Sequence, residues 1–115
     1  MKKLYFGFAL ADSMFVGDCT IERRVLLIEE VRELVVQGVE SCCNTSHLAT
    51  IEAMKLRFGI DVPIPELPPR VSLEVGDSVV VMGVRGLPRL TNRHEYTPEE
   101  IAQASFSFAM YTVVS

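Results

Sequence analysis

The spacing of apolar residues changes period several times along the chain. Residues 3–10 and 20–27 are rich in Leu, Phe, Ile and Val around the turn-prone Gly17-Asp18, which predicts two strands joined by a loop carrying Asp12 and Ser13. From Leu27 the period becomes helical: Leu27, Val31, Leu34 and Val35 recur on one face, with Glu29, Glu30, Arg32 and Glu33 on the other. Gly38 follows, so an amphipathic helix of about three turns, closed by a left-handed glycine, is expected. After the short apolar stretch Val39 to Cys43, the side chains of Asn44-Thr45-Ser46 can cap a second helix, in which Leu48, Ile51, Met54 and Phe58 repeat before Gly59. Pro63 to Pro69 reads as an extended surface loop. Arg70 to Val75 and Ser78 to Val84 flank Gly76-Asp77 and predict a hairpin, and Val79-Val80-Val81-Met82 is continuously apolar, like a strand covered on both faces. Thr97-Pro98-Glu99-Glu100 places a capping Thr, a Pro at the first helical position and a Glu three residues after the cap, so a short third helix starts there. Phe106, Phe108 and Met110 alternate along a final strand ending at Val114. The sum is one α/β domain over residues 1–115, a single mixed sheet of about five or six strands flanked by two or three helices.

Composition narrows the function classes. At 115 residues, with 49% hydrophobic and 23% charged positions, the chain suits one core rather than two and is too apolar for intrinsic disorder. No apolar run approaches the ~20 residues of a membrane-spanning helix, and the N-terminal alternation with Asp12 close behind is unlike a signal peptide. A cytoplasmic protein with no membrane partner is expected. Cys19, Cys42 and Cys43 are odd in number, and no second Cys/His pair stands at zinc spacing, so buried thiols in a reducing compartment are expected, with no metal and no cofactor. The formal net charge of -4 argues against adhesion to long nucleic acid, whose affinity comes mostly from neutralising phosphates. A small anion in a local basic pocket remains compatible.

Two places could hold such an anion. Asn44-Thr45-Ser46-His47-Leu48-Ala49-Thr50 opens a helix that follows a strand, where free N–H groups and the positive end of the helix dipole favour phosphate. An imidazole there, with an ordinary pKa of about 6.5, can donate a proton near neutrality, or can serve simply as a surface or capping residue. The second place is basic: residues 78 to 94 contain Arg85, Arg89, Arg93 and His94 and no Asp or Glu. Arg85 leaves the end of a central strand, where α/β sheets place ligands, and a guanidinium grips phosphate oxygens in a two-pronged fashion. The alternative for this loop is a solvated, Arg-rich surface. No glycine-rich phosphate loop, serine elbow or oriented thiol nucleophile is present.

The order of these parts, a first strand near Leu4-Tyr5, His47 and Thr50 opening the second helix, Arg70-Val71, and Arg85 ending a central strand, resembles the small viral and phage ring nucleases. Those proteins act as anti-CRISPR proteins against type III systems by degrading cyclic tetra-adenylate. Ser46 stands where the family's Gly-His-x-x-Thr signature has Gly, Phe8 and Ala11 where it has Asn and Ser, and Pro88 and Arg89 in the region of its acidic residue. The resemblance implies a homodimer that holds a cyclic oligoadenylate across its two-fold axis and cleaves it without metal. The ligand's own 2′-hydroxyl attacks phosphorus, with His47 as general acid and Arg85 stabilising charge on the phosphoryl oxygens. It also implies that Ser46, Thr50, Arg70 and Arg89 bind ligand. The rival readings are a protein of this fold that sequesters the cyclic nucleotide uncleaved, and a viral structural or interaction protein that keeps only the fold.

Overall fold

The apolar run Val79 to Met82 calls for a strand covered on both sides, and it lies in β4 (Ser78–Arg85), with Val79, Val80 and Met82 buried. The computed structural model, which describes residues 2–44, 47–67, 69–87 and 96–115, places β4 in the middle of five strands. Their order is β2 (Ile21–Leu26), β5 (Ser105–Val113), β4, β1 (Leu4–Gly7), β3 (Glu40–Ser41). β5 runs antiparallel to β4 along its whole length, from Ser78 opposite Thr112 to Arg85 opposite Ser105. β1 runs parallel to β4 only along Ser78–Val81, and β3 is parallel to β1. β2 lies antiparallel on the outer edge of β5. Among the described residues there are three α-helices, α1 (Ile28–Gln37), α2 (Leu48–Phe58) and α3 (Pro98–Gln103), and one 3-10 turn at Asp12–Met14. A mixed α/β sheet with three helices agrees with the hydrophobic pattern.

Alternation decides which side chains meet. Phe6, Val80, Met82, Phe108 and Leu26 point to the face covered by α1 and α2, where they pack with Val31, Ile51 and Met54. Aromatic edges hold this layer together, Phe58 on Phe106 with ring centroids 5.3 Å apart and Phe58 on Phe108 at 6.2 Å. Two arginines answer the unpaired carbonyls at helix C-termini. Arg32 donates from Nε and Nη2 to the Phe58 carbonyl at 2.9 and 2.7 Å, and Arg57 donates to the carbonyls of Ile101 and Ala104 at the end of α3. Helix α3 starts as its sequence predicts. The Thr97 hydroxyl accepts from the Glu100 N–H, the Glu100 carboxylate accepts from the Thr97 N–H, and Pro98 occupies the first turn.

Some local expectations are corrected. Arg70 to Val75 does not pair with β4, because β1 and β5 already take both of its edges. Instead Val71 and Leu73 settle on the second face of the sheet with Tyr5, Val79 and Val113, and among the described residues the segment makes one parallel bridge, Leu73 to Phe15, outside the five strands. Gly38 has a positive φ of 121°, but with ψ at 126° it turns α1 straight into β3 rather than closing it in a left-handed turn, whereas Gly59 is left-handed at φ 72° and ψ 19°. The cap position of α2 is His47, and its side chain makes no capping hydrogen bond. Cys43 is buried and Cys42 half-buried, yet Cys19 is exposed, so the expectation of three buried thiols fails at the first. No described helix is long and apolar enough to cross a membrane.

One buried carboxylate fastens the strand starts. Asp77 accepts from the Lys3 N–H at 2.9 Å and the Glu74 N–H at 3.0 Å, while its carbonyl accepts from Val113 N–H at 3.1 Å, tying together β1, the turn before β4, and β5. Burial opposes ionisation, but the Glu74 and Lys3 N–H donors outweigh it and hold the carboxyl below the ordinary value. Its stabilisation is therefore present above about pH 4, the unfolded value, and is lost as pH falls through the folded value. Asp77→Ala should lower the unfolding free energy at pH 7 by about 1–3 kcal/mol, the usual cost of orphaned buried donors. Denaturant titrations of wild type and Asp77→Asn at pH 7 and pH 3 should show the larger acid loss in wild type.

Candidate functional site

β1, β3 and β4 are parallel, so their C-terminal ends at Gly7, Ser41 and Arg85 share one side of the sheet, the side on which open α/β sheets bind ligands. Three of the expected residues emerge there from different elements.

His47 follows β3 and stands at the start of α2. Its backbone N–H donates to the Asn44 carbonyl at 3.0 Å, and the Asn44 N–H donates to Nδ1 at 3.3 Å. The ring packs edge-on against Phe8, with centroids 4.6 Å apart, and Phe8 itself leans on Phe6 and the helix-side core. An Nδ1 that accepts a hydrogen bond leaves the proton of the neutral ring on Nε2. Burial lowers the His47 pKa below its ordinary value, so the free protein carries a neutral imidazole at pH 7. Thr50 is half-buried in the first turn of α2, which contains no acidic residue and no side-chain cap. Among the described residues no side chain caps this turn, and its dipole favours an anion.

Arg70 is exposed at a hollow of about 310 Å³ lined by Ala11, Ser13, Cys42 and Val71. Burial, with Cys43 and Glu40 nearby, pushes the Cys42 thiol up to about 11, so it remains protonated near neutrality and is no thiolate nucleophile. Arg85 ends β4 beside a second hollow of about 420 Å³, shared with Gly83, Ser105 and Ser107. A Cβ at Gly83 would lie 3.0 Å from Ser107 Oγ, so glycine keeps this floor low. Because Val84 joins the helix-side core, alternation turns Arg85 to the opposite face. His47 packs on the helix side, and within one chain it makes no hydrogen bond or ion pair with Arg85, Arg70 or Thr50. Ser46 and Arg89, both expected at the ligand, lie outside the described residues, as does Pro88.

The described arginines divide in two. Arg23 donates to the Tyr111 hydroxyl at 3.0 Å, Arg24 pairs with Glu30 at 2.9 Å, and Arg32 and Arg57 hold carbonyls. Arg70 and Arg85 have no hydrogen-bond or ion-pair partner among the described residues. Sequence reasoning missed Ser105, Ser107 and the wall formed by Phe8. The alternation of Ser105, Phe106, Ser107 and Phe108 was the available signal for the serines, since burying every second residue turns the others to one open face. A further hollow of about 280 Å³, between α2 and α3, is lined by Leu48, Ala49, Leu56 and Ile101 with Glu52 as its charge, a poor seat for phosphates.

No protein-family model matches the chain, and no curated protein matches it. Among solved structures it is similar to B116 of Sulfolobus turreted icosahedral virus, with a TM-score of 0.67 across 96% of this chain and 98% of that one, at 17% sequence identity. The likeness shows that the same fold, over nearly its whole length, occurs in a viral protein.

Proposed function

We propose that the chain is a metal-independent ring nuclease that degrades cyclic tetra-adenylate, an anti-CRISPR activity against type III systems, working as a homodimer. The observation that carries this reading is the pair of unpartnered guanidinium groups, Arg70 and Arg85, each beside its own hollow, in a chain whose other described arginines are engaged. Free, exposed arginines next to concave polar surface suit phosphate oxygens. The open first turn of α2 beside His47 adds a second anion-favouring element. Two copies related by a two-fold axis match the symmetry of a ring of identical units. They would also let the helix-side His47 of one copy and the opposite-face Arg85 of the other address the same ligand.

In this mechanism the ligand's 2′-oxygen attacks the adjacent phosphorus, its proton passing to solvent, and the bond from phosphorus to the 5′-oxygen breaks to leave a 2′,3′-cyclic phosphate. His47 donates a proton to the departing 5′-oxygen and Arg85 meets the charge on the equatorial oxygens. Thr50 and Arg70 hold ligand. The neutral resting state of His47 sets a condition: the ligand's phosphates must raise its pKa and displace the Asn44 N–H from Nδ1 so that both ring nitrogens carry protons. A sequestering protein that binds without cleaving is favoured instead by that same neutral ring and by Phe8 at the family's Asn position.

Incubation with radiolabelled cyclic tetra-adenylate in EDTA separates these readings. A linear product ending in 2′,3′-cyclic phosphate is expected, binding without cleavage would select the sequestering reading, and neither result would leave only the fold. His47→Ala should reduce cleavage roughly 100-fold to 10,000-fold with binding retained, and Arg85→Ala should weaken both. NMR titration should find the His47 pKa below 6.5 in the free protein and higher in the complex. Single-turnover cleavage should then fall as pH rises through the value in the complex. A His47 that stays neutral when ligand is bound at pH 7 would remove it as the acid.

A further inference from the structure

The side-chain hydroxyls of β4 and β5 fall into two sets. Where β4 begins, Ser78 Oγ and Thr112 Oγ1 lie 2.7 Å apart and satisfy one another. Where it ends, Ser105 and Ser107 of β5 are exposed, and their hydroxyls make no hydrogen bond among the described residues. Phe106 and Phe108 pack into the helix-side core, so alternation turns both serines to the opposite face. Met82 and Val84 do the same for Gly83 and Arg85 on β4. The antiparallel register then sets Arg85 directly across from Ser105 and Gly83 directly across from Ser107, and all four residues line the hollow of about 420 Å³.

Gly83 gives this hollow its floor. A Cβ there would stand 3.0 Å from Ser107 Oγ, so the hydroxyl leans across the gap between the strands and over the glycine. An isolated glycine inside a strand often marks a place where a ligand comes close to the backbone. Neither Asp nor Glu occurs among residues 78–94, and the lining carries one charge, the Arg85 cation. Cβ atoms facing each other in an antiparallel pair are about 4.5–5.5 Å apart and diagonal neighbours about 7–8 Å apart. One phosphate group, accepting charge-assisted hydrogen bonds of about 2.5–2.9 Å on separate oxygens, spans such distances.

We propose that Ser105 and Ser107 donate their hydroxyl hydrogens to the phosphate that Arg85 grips, so that the adjoining ends of β4 and β5 form one seat for a phosphate or phosphodiester group. The guanidinium reaches in from β4 and the hydroxyls from β5, and the missing side chain of Gly83 leaves the room that the anion fills. Arg85 alone, on a long flexible stem, supplies charge without fixing position. Two hydroxyls on short side chains of a paired strand supply the direction. Only the identity of the ligand rests on the nuclease reading. Under that reading the phosphate is the scissile one, and the serines hold its non-bridging oxygens without transferring a proton.

Backbone-amide NMR titration tests the seat with two anions, inorganic phosphate, whose binding requires no nuclease activity, and cyclic tetra-adenylate. Saturable shifts at Gly83, Arg85, Ser105 and Ser107 are expected with at least one of them. Ser105→Ala combined with Ser107→Ala should leave the circular dichroism unchanged and weaken that binding roughly 10-fold or more, the range for hydrogen bonds to a charged group. Each single variant should show part of the loss. No saturable shift at these residues with either anion, or an unchanged midpoint in the folded double variant, would overturn the seat. Cleavage is scored apart from binding. A wild type that shows the shifts with phosphate and leaves cyclic tetra-adenylate intact refutes the nuclease reading and keeps the seat, whereas a double variant that binds and cleaves as wild type does refutes the seat and keeps the nuclease.

Discussion

The unequal pairing of β4 governs the rest of the molecule. β5 matches β4 along its whole length, whereas β1 matches only Ser78–Val81. The last half of β4 therefore outruns its parallel neighbour and carries Arg85 to a strand end flanked by Ser105 and Ser107 on the β5 side, beside a hollow rather than under a layer. The other end of the same strand cannot slip, because the Asp77 carboxylate and backbone bind β1, β5 and the preceding turn together. A shift by one residue would turn every side chain of β4 to the wrong face, moving Val80 and Met82 out of the core.

Charge is distributed in keeping with this frame. Four of the six described arginines are spent on structure, two of them on helix C-termini and two within β2, on Tyr111 and Glu30. The described arginines left without a partner are Arg70 and Arg85, each beside its own hollow, so free positive charge is local in a chain of net charge -4. Salt screens the remote acids beyond about 8–10 Å. His47 is set differently: its ring packs edge-on against Phe8, and burial lowers its pKa below the ordinary value.

Legibility in the sequence followed locality. The cap of α3 lies within four consecutive residues and reads correctly, as do the period of β5 and the apolar run of β4, because each is decided by neighbours in the chain. The hairpin of Arg70 to Val75 with β4 was misread because strand partners are chosen by competition among distant segments. β5, which starts twenty residues after β4 ends, won one edge and β1 the other. At the site, His47 at a helix start and Arg85 at a strand end were legible from turn and cap chemistry. The edge contact with Phe8, the acceptor role of Nδ1, the hollow around Arg70 and the turning of Arg85 to the face opposite His47 all depend on tertiary packing, which no local pattern encodes.

The account stands most directly on whether those free cations hold a cyclic oligoadenylate across a two-fold axis. Isothermal titration of the protein with cyclic tetra-adenylate, under conditions of slow turnover and with the molar mass of the complex read by light scattering, decides it. One ring bound per two chains is the predicted result, with the heat strongly reduced when Arg70 and Arg85 are both replaced by Ala. No binding, or one ring per chain with no loss in that double variant, would contradict it.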